Sequence, residues 1–217
     1  GSSDRTREIA DAHGAQWHAH PFDGYGPQKR RAVSLARYDW VLSIDGDEIL
    51  DQGAVAALRA VDWERADPKM CWEIRRRPFV GDREIRHGDW APDFVVRLFN
   101  RRHHGFSDAL VHESVRPTGS VRRLDGSLLH FTAVDYAGVF RADYYRLKAE
   151  VYRREGRRTG AANLAARATG AFLRCYLLRL GFLDGVAGVV VAVAGAANTT
   201  VGLAQASDPR SQNNLPG

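Results

Sequence analysis

Asp45 and Asp47 stand one glycine apart at the end of the apolar run Trp40-Val41-Leu42-Ser43-Ile44, with Glu48 directly behind them. Carboxylates at that spacing are hard oxygen ligands. They suit Mg2+ or Mn2+, ions that complete their shells with water and substrate phosphates instead of a closed protein cage. If the run is a strand, Val41 and Ile44 enter a core and the chain turns at Gly46. The two aspartates are then left at the carboxyl end of a sheet, where open α/β folds bind their ligands. The substrate implied is a phosphate ester or diphosphate. A solvated acidic loop and a carboxylate nucleophile fit the same residues. An EF-hand does not, because counting from Asp45 puts Ile49 where an oxygen ligand is needed and Leu50 where that loop requires glycine.

The surrounding pattern predicts the elements that hold this turn. A helix is expected over Asp4 to Ala12, capped by Asp4 and stopped by Gly14, followed by a short strand over Ala15 to Ala19. Pro27 to Arg37 reads as a helix opened by Gly24-Tyr25-Gly26 and Pro27, Trp40 to Ile44 as the buried strand, and Ala54 to Ala60 as a further helix. Alternating strand and helix is the pattern of an α/β layer with a parallel sheet. Met70 to Phe79 and Asp93 to Asn100 read as strands, Val80-Gly81-Asp82-Arg83 as a hairpin turn, and His87 to Pro92 as an irregular loop. A sheet starting with a helix lacks its first strand, so an amino-terminal strand-helix-strand unit is expected to be missing from this polypeptide.

The last third changes character. Tyr136, Phe140, Tyr144, Leu147 and Val151 recur at helical spacing, with Arg141, Arg146, Arg153 and Arg154 largely off that stripe, an amphipathic basic helix. Ala161 to Leu180 is expected to form a second helix carrying Arg167, Arg174 and Arg179. Val186 to Ala204 is nearly free of charge and approaches the length of a bilayer span, but its glycines, Asn198 and two threonines favour an interfacial or hairpin-packed helix over a crossing. The chain therefore divides into a catalytic region, 1–132, a helical, membrane-associating extension, 133–206, and a disordered tail, 207–217.

Composition narrows the partners. The 217 residues, 44% apolar and including five Trp, can bury one sizeable core, and a formal charge of +5 calls for an anionic partner. Lys occurs only at 29, 69 and 148, so Arg, the side chain suited to bidentate phosphate contacts, supplies most of the positive charge. The Arg clusters are scattered through different elements without a nucleic-acid-binding signature, so no nucleic acid is expected. Cys71 and Cys175 lie in apolar contexts with no metal-ligand spacing and read as reduced, buried thiols.

With Gly1 to Thr6, Gln28-Lys29, the Asp45-Gly46-Asp47-Glu48 core, Gly88-Asp89-Trp90-Ala91-Pro92-Asp93 leading to Arg97-Leu98-Phe99, and Val111-His112-Glu113 in that order, the chain resembles the family-2 inverting glycosyltransferases. Within them it is similar to the lipopolysaccharide core enzymes of the β-glucosyltransferase type, to which Gly181-Phe182-Leu183-Asp184-Gly185 adds. The resemblance implies a GT-A, Rossmann-like mixed sheet flanked by helices. It implies a nucleoside-diphosphate sugar, with a UDP-hexose the expected donor, held through Mn2+ or Mg2+ at the Asp-X-Asp turn. Asp47 is the expected direct ligand, Asp45 faces ribose or metal, Glu48 supports the turn, and His130 is a further candidate ligand.

Inversion needs a base for the acceptor hydroxyl, and the resemblance assigns it to an acid downstream of the turn, Glu113, with Asp93 as the second candidate. His112 would tune that base or contact phosphate, Trp90 would offer a platform to a sugar ring, and Lys29 and Arg97 would contact the diphosphate or nucleotide. Ser2, Ser3 and Asp4 would be what remains of the nucleotide wall. Arg30 departs from the asparagine that the family often carries after Gln-Lys. The expected reaction is hexosyl transfer to a membrane-linked saccharide, at the cytoplasmic face of the bacterial inner membrane, by a peripheral enzyme held on anionic lipid. Transfer to a polyprenyl-phosphate carrier, or an inactive saccharide- or membrane-binding remnant, are the competing readings.

Overall fold

The computed structural model describes residues 4–107, 114–157 and 159–208. Helix α1 (Thr6–Ala12) lacks the expected cap: Asp4 instead accepts from the backbone N–H of Thr6 at 3.1 Å, one residue outside the helix's first turn. Residues 15–19 form no strand; they run in the open with only Trp17 partly covered, and a strand without a ladder partner is not stable. Helix α2 (Tyr25–Ser34) starts two residues before Pro27, so proline occupies the first turn, where its missing N–H costs nothing.

The sheet is built from β1 (Trp40–Leu42), β2 (Glu48–Leu50), β3 (Cys71–Val80), β4 (Arg83–Glu84), β5 (Asp93–Asn100) and β6 (Val121–Ala133). Its order is β1-β5-β3-β6-β2, with β4 paired to β3. It is mixed, as the resemblance implies: β3 and β6 run parallel and every other pair is antiparallel, which corrects the parallel layer expected from the strand-helix alternation alone. Helix α3 (Gln52–Arg59) is capped by Asp51, whose side chain accepts from Ala54 N at 2.8 Å. The β3–β4 hairpin turns at Gly81, at φ +58°, as its sequence requires.

Period-two alternation sends side chains to both faces. Trp72, Ile74, Leu98 and Leu128 pack with Ala54 of α3, buttressed by the mutually packed rings of Trp40, Trp63 and Trp72. Cys71 and Phe99 go to the opposite face with Phe106, Val115 and Val33 of α2. Both cysteines are buried free thiols.

The carboxyl-terminal third consists of α4 (Ala142–Arg154), α5 (Ala161–Leu173) and α6 (Val186–Ser207). The helix expected to continue to Leu180 gives way after Leu173 to a π-turn over Arg174–Leu178, and Leu180 takes a left-handed φ of 58°. The Arg179 carbonyl instead accepts from Gly88 N at 2.8 Å, drawing the His87–Pro92 loop onto the hairpin. Among the described residues α6 is the one helix long and apolar enough to cross a membrane. It packs against α4 and α5, and Ala187, Val191, Ala192 and Ala194 share a core with Val80 and Ile85 of the sheet region. A Cβ on Gly188 would lie 1.7 Å from the Gly181 carbonyl oxygen, so this contact admits only glycine. Ser207 of the expected disordered tail closes α6, and residues 209–217 lie outside the described residues.

Candidate active site

Strands β1 and β2 are separated in sequence by five residues but occupy opposite edges of the sheet, so the segment 43–47 must cross it. That crossing is why one short turn can reach side chains from β5, β3 and β6. At one end Ser43 N donates to Arg97 O at 2.8 Å; at the other Phe131 N donates to Asp47 O at 2.9 Å, and Glu48 stands opposite His130. The turn closes on itself through Glu48, whose side chain accepts from Asp45 N at 2.9 Å while Glu48 N donates to Asp45 O at 3.0 Å. A Cβ on Gly46 would meet nothing within 4 Å, so Glu48, more than the glycine, sets the bend.

Glu48 is fully buried and would be prohibitively costly without partners. Arg97, which shares the face of Phe99, donates to it and also to Asp45, at 2.8 Å from Asp45 Oδ2. Lys29 of α2 lies 3.0 Å from the other Asp45 oxygen. On the far side, Arg76 Nη1 is 3.7 Å from Glu48 and its Nη2 is 2.6 Å from Asp93. The result is one alternating chain, Lys29, Asp45, Arg97, Glu48, Arg76, Asp93, with three charges of each sign. Burial by itself pushes the Asp45 carboxyl up, but Arg97 and then Lys29 outweigh it and hold it below the ordinary carboxylate value.

Asp47 stands outside this chain. Its side chain is 47% exposed, and the Nε2 of His130 lies 3.3 Å away, a hydrogen bond that chiefly accounts for its lowered pKa. His130 Nδ1 is 3.1 Å from Thr132 Oγ1, an outer partner of the kind that orients ligating imidazoles. Among the described residues no three His, Cys, Asp or Glu side chains form a metal cage. Asp47 and His130 do make a half-open oxygen and nitrogen pair, which could hold an ion only if its remaining ligands came from elsewhere, such as phosphate and water.

The remaining candidates fall elsewhere. Ser2, Ser3, His112 and Glu113 lie outside the described residues. Asp4 is exposed and bonds within its own turn to Thr6. Trp90 is partly buried against the core shared with the carboxyl-terminal helices. Lys29 and Arg97 serve Asp45, with Arg97 only 6% exposed. Arg76, hidden within the Arg75 to Arg77 cluster, was not singled out by sequence; its place at period two between the apolar Ile74 and Pro78, both buried, was the available signal. Asp184, which the sequence placed in the Gly181 to Gly185 motif without a role, accepts from Arg86 N at 3.0 Å and His87 N at 2.8 Å, with His87 Nδ1 3.0 Å away.

No protein-family model matches the chain. It is 29% identical over 203 residues to an uncharacterized glycosyltransferase of Rickettsia prowazekii, spanning 87% of this chain and 69% of that protein. A glycosyltransferase of Rickettsia typhi is 28% identical over 203 residues, with the same coverage. The chain is a glycosyltransferase. More narrowly, it is 30% identical over 210 residues to the lipopolysaccharide core biosynthesis glycosyltransferase LpsC of Rhizobium meliloti, covering 90% of this chain and 76% of LpsC, and it belongs to the family that contains that enzyme.

Proposed function

We propose that this enzyme moves a hexose from a nucleoside-diphosphate sugar to a membrane-linked saccharide of the lipopolysaccharide core, in one inverting, metal-assisted step on a GT-A fold. The observation that carries the reading is the Asp47–His130 pair beside a charge-compensated Asp45. Asp47 and His130 would hold Mn2+ or Mg2+, which supplies charge neutralisation to the departing diphosphate. Asp45, kept ionised by Arg97 and Lys29, is suited to accept hydroxyls of the nucleotide sugar. Arg76 occupies the Asp93 carboxylate, which disfavours Asp93 as the base and favours Glu113.

The same reading has the enzyme attached at the cytoplasmic face of the inner membrane; for surface attachment as such, the support is the apolar turn between α5 and α6. Leu178 is 79% exposed, Val186 64% and Leu183 56%; Arg174 and Arg179 on either side of Leu178 share the one carboxylate of Asp89, at 2.8 and 3.1 Å, and so carry a net positive charge beside it. Exposed apolar tips next to a net positive charge suit the interface of an anionic bilayer better than its interior.

The test is release of nucleoside diphosphate from a UDP-hexose with and without Mn2+, followed by acceptor profiling. The expected result is chelator-sensitive turnover stimulated by core oligosaccharide. Chelator-insensitive turnover overturns the metal assignment, and stimulation by polyprenyl phosphate alone replaces the acceptor.

A further inference from the structure

Helix α6 carries no charged side chain, and its two faces are put to different uses. One face belongs to the protein. Ala187, Val191, Ala192 and Ala194 pack with Val80 and Ile85, Gly188 closes on Gly181, and Leu203 and Ala206 pack with Tyr152 of α4. The other face opens with Val186, 64% exposed, and continues through Val189 at 38% and Val193 at 42%. Spacings of three and four residues put these valines on one stripe along the first two turns.

The stripe leaves directly from the turn between α5 and α6, where Leu178 and Leu183 are exposed. At that end of the helix Arg174 and Arg179 share Asp89, and Arg83 reaches within 3.4 Å of the Cβ position at Gly185. The open area of the five apolar side chains is on the order of a few hundred Å², the size of one surface patch. Each partner of a stable dimer contributes roughly 800 Å². Residues 209–217 offer Leu215 and two prolines as cover, too little for the whole stripe. A bilayer interface takes up apolar side chains without matching their shape, so a narrow stripe beside cations suits it.

We propose that α6 lies along the surface of an anionic bilayer and does not cross it: Val186, Val189 and Val193 sit with the α5–α6 turn at the headgroup boundary, while the opposite face stays in the protein core. This orientation rests on the reading of the turn as a surface anchor. Crossing would strip α6 from Val80 and Ile85 and expose both; lying flat keeps these contacts. Ala133 of β6 belongs to the same core, and His130 stands three residues before it. The Asp47–His130 pair is therefore joined to the lipid-facing helix by roughly 10 Å of strand. A membrane-linked acceptor thereby meets a site held at one distance from the lipid.

The experiment is sedimentation of the full chain with vesicles of phosphatidylcholine and phosphatidylglycerol, followed by an alkaline carbonate wash. Binding that the wash reverses is expected; protein retained after the wash has a spanning helix and overturns the proposal. Val189→Glu and Val193→Glu should each weaken binding by roughly tenfold, the scale for withdrawing a partly exposed valine from an apolar phase. Val189→Ser, which adds no charge, should weaken it less but in the same direction, and the denaturation midpoint checks that each variant stays folded. Tyr38→Glu, the same charge at an exposed site before β1, should bind as the unaltered chain does. If Leu178→Glu abolishes binding while the valine variants bind normally, the turn alone attaches the enzyme: the stripe is refuted and the anchor stands. No binding by the unaltered chain refutes both. A lipid-free dimer that Val193→Glu dissociates gives the stripe to a second copy and likewise overturns the proposal.

Discussion

Two buried carboxylates organise this enzyme by opposite means. Glu48, at the acidic turn, is compensated by guanidinium groups and only secondarily by a backbone N–H. Asp184, in the turn between α5 and α6, faces two backbone N–H groups and an imidazole, and among the described residues no guanidinium pairs with it. A charge balanced by charges fixes the positions of other charges, and its loss leaves formal charges stranded. A charge balanced by backbone dipoles fixes the path of a loop. The first arrangement poises ionised groups for chemistry; the second anchors the His87–Pro92 loop, and with it Trp90 and the approach to Asp93, to helices that carry the apolar exposed tips.

The comparison is tested most severely at Arg97. Arg97→Met should strand Glu48 and cost about 3–5 kcal/mol of unfolding free energy, the scale for breaking a buried ion pair from one side. Chemical denaturation measures it, and a cost below about 1 kcal/mol would show that Arg76 alone compensates Glu48. Asp47→Ala should do the converse. Its half-exposed side chain leaves stability nearly unchanged, while Mn2+-dependent transfer should fall by about 10²–10³-fold, the scale for losing one stabiliser of developing charge.

In the hairpin, Asp184→Ala should cost about 1–3 kcal/mol, because two loop N–H groups lose their acceptor. The same variant should raise KM for the acceptor more than it lowers kcat if the loop borders the acceptor. Leu178→Glu, at a site already 79% exposed, should leave stability unchanged and abolish sedimentation with anionic vesicles. Retained vesicle binding would remove the hairpin from membrane attachment and leave its apolar tips unexplained.

The sequence made the acidic turn legible because its signal is local: a short apolar run, two aspartates and a glutamate. Strands β3 and β5 were legible for the same reason. Strand β6 was not, since Arg122, Arg123, Asp125 and Gly126 interrupt its apolar alternation, and only its register with β3 and β2 makes it a strand. The mixed sheet followed from the family resemblance but not from the local alternation, because strand direction is settled by pairings between segments far apart, such as Cys71 with Val121. The alternating charge chain was hidden likewise: Arg76 and Arg97 look like two of many arginines until β3 and β5 pair and aim them at one glutamate. The resemblance to the lipopolysaccharide core enzymes, by contrast, was readable from ordered motifs without knowing any of these contacts.

The smallest expected effect is a pH dependence at Glu84, a carboxylate outside the acidic turn that guanidinium groups also balance. Glu84 adjoins the hairpin contact through Arg86, and hydrogen bonds from Arg77 are the first cause that brings its carboxyl down from 4.5 to about 2, with Arg86 contributing after them. A carboxyl whose folded pKa lies below its unfolded value binds fewer protons folded than unfolded. Its stabilising contribution is therefore complete above about 4.5 and is lost as pH falls toward about 2. Arg77→Met should flatten that acid limb while leaving stability at neutral pH only modestly lower, because Arg77 is 31% exposed and its pair is partly screened by solvent. Stability measured from pH 5 to 2 in both proteins distinguishes the cases: parallel acid limbs would mean that the acid sensitivity lies with carboxylates other than Glu84, such as Asp45, which Arg97 and Lys29 hold below the ordinary value.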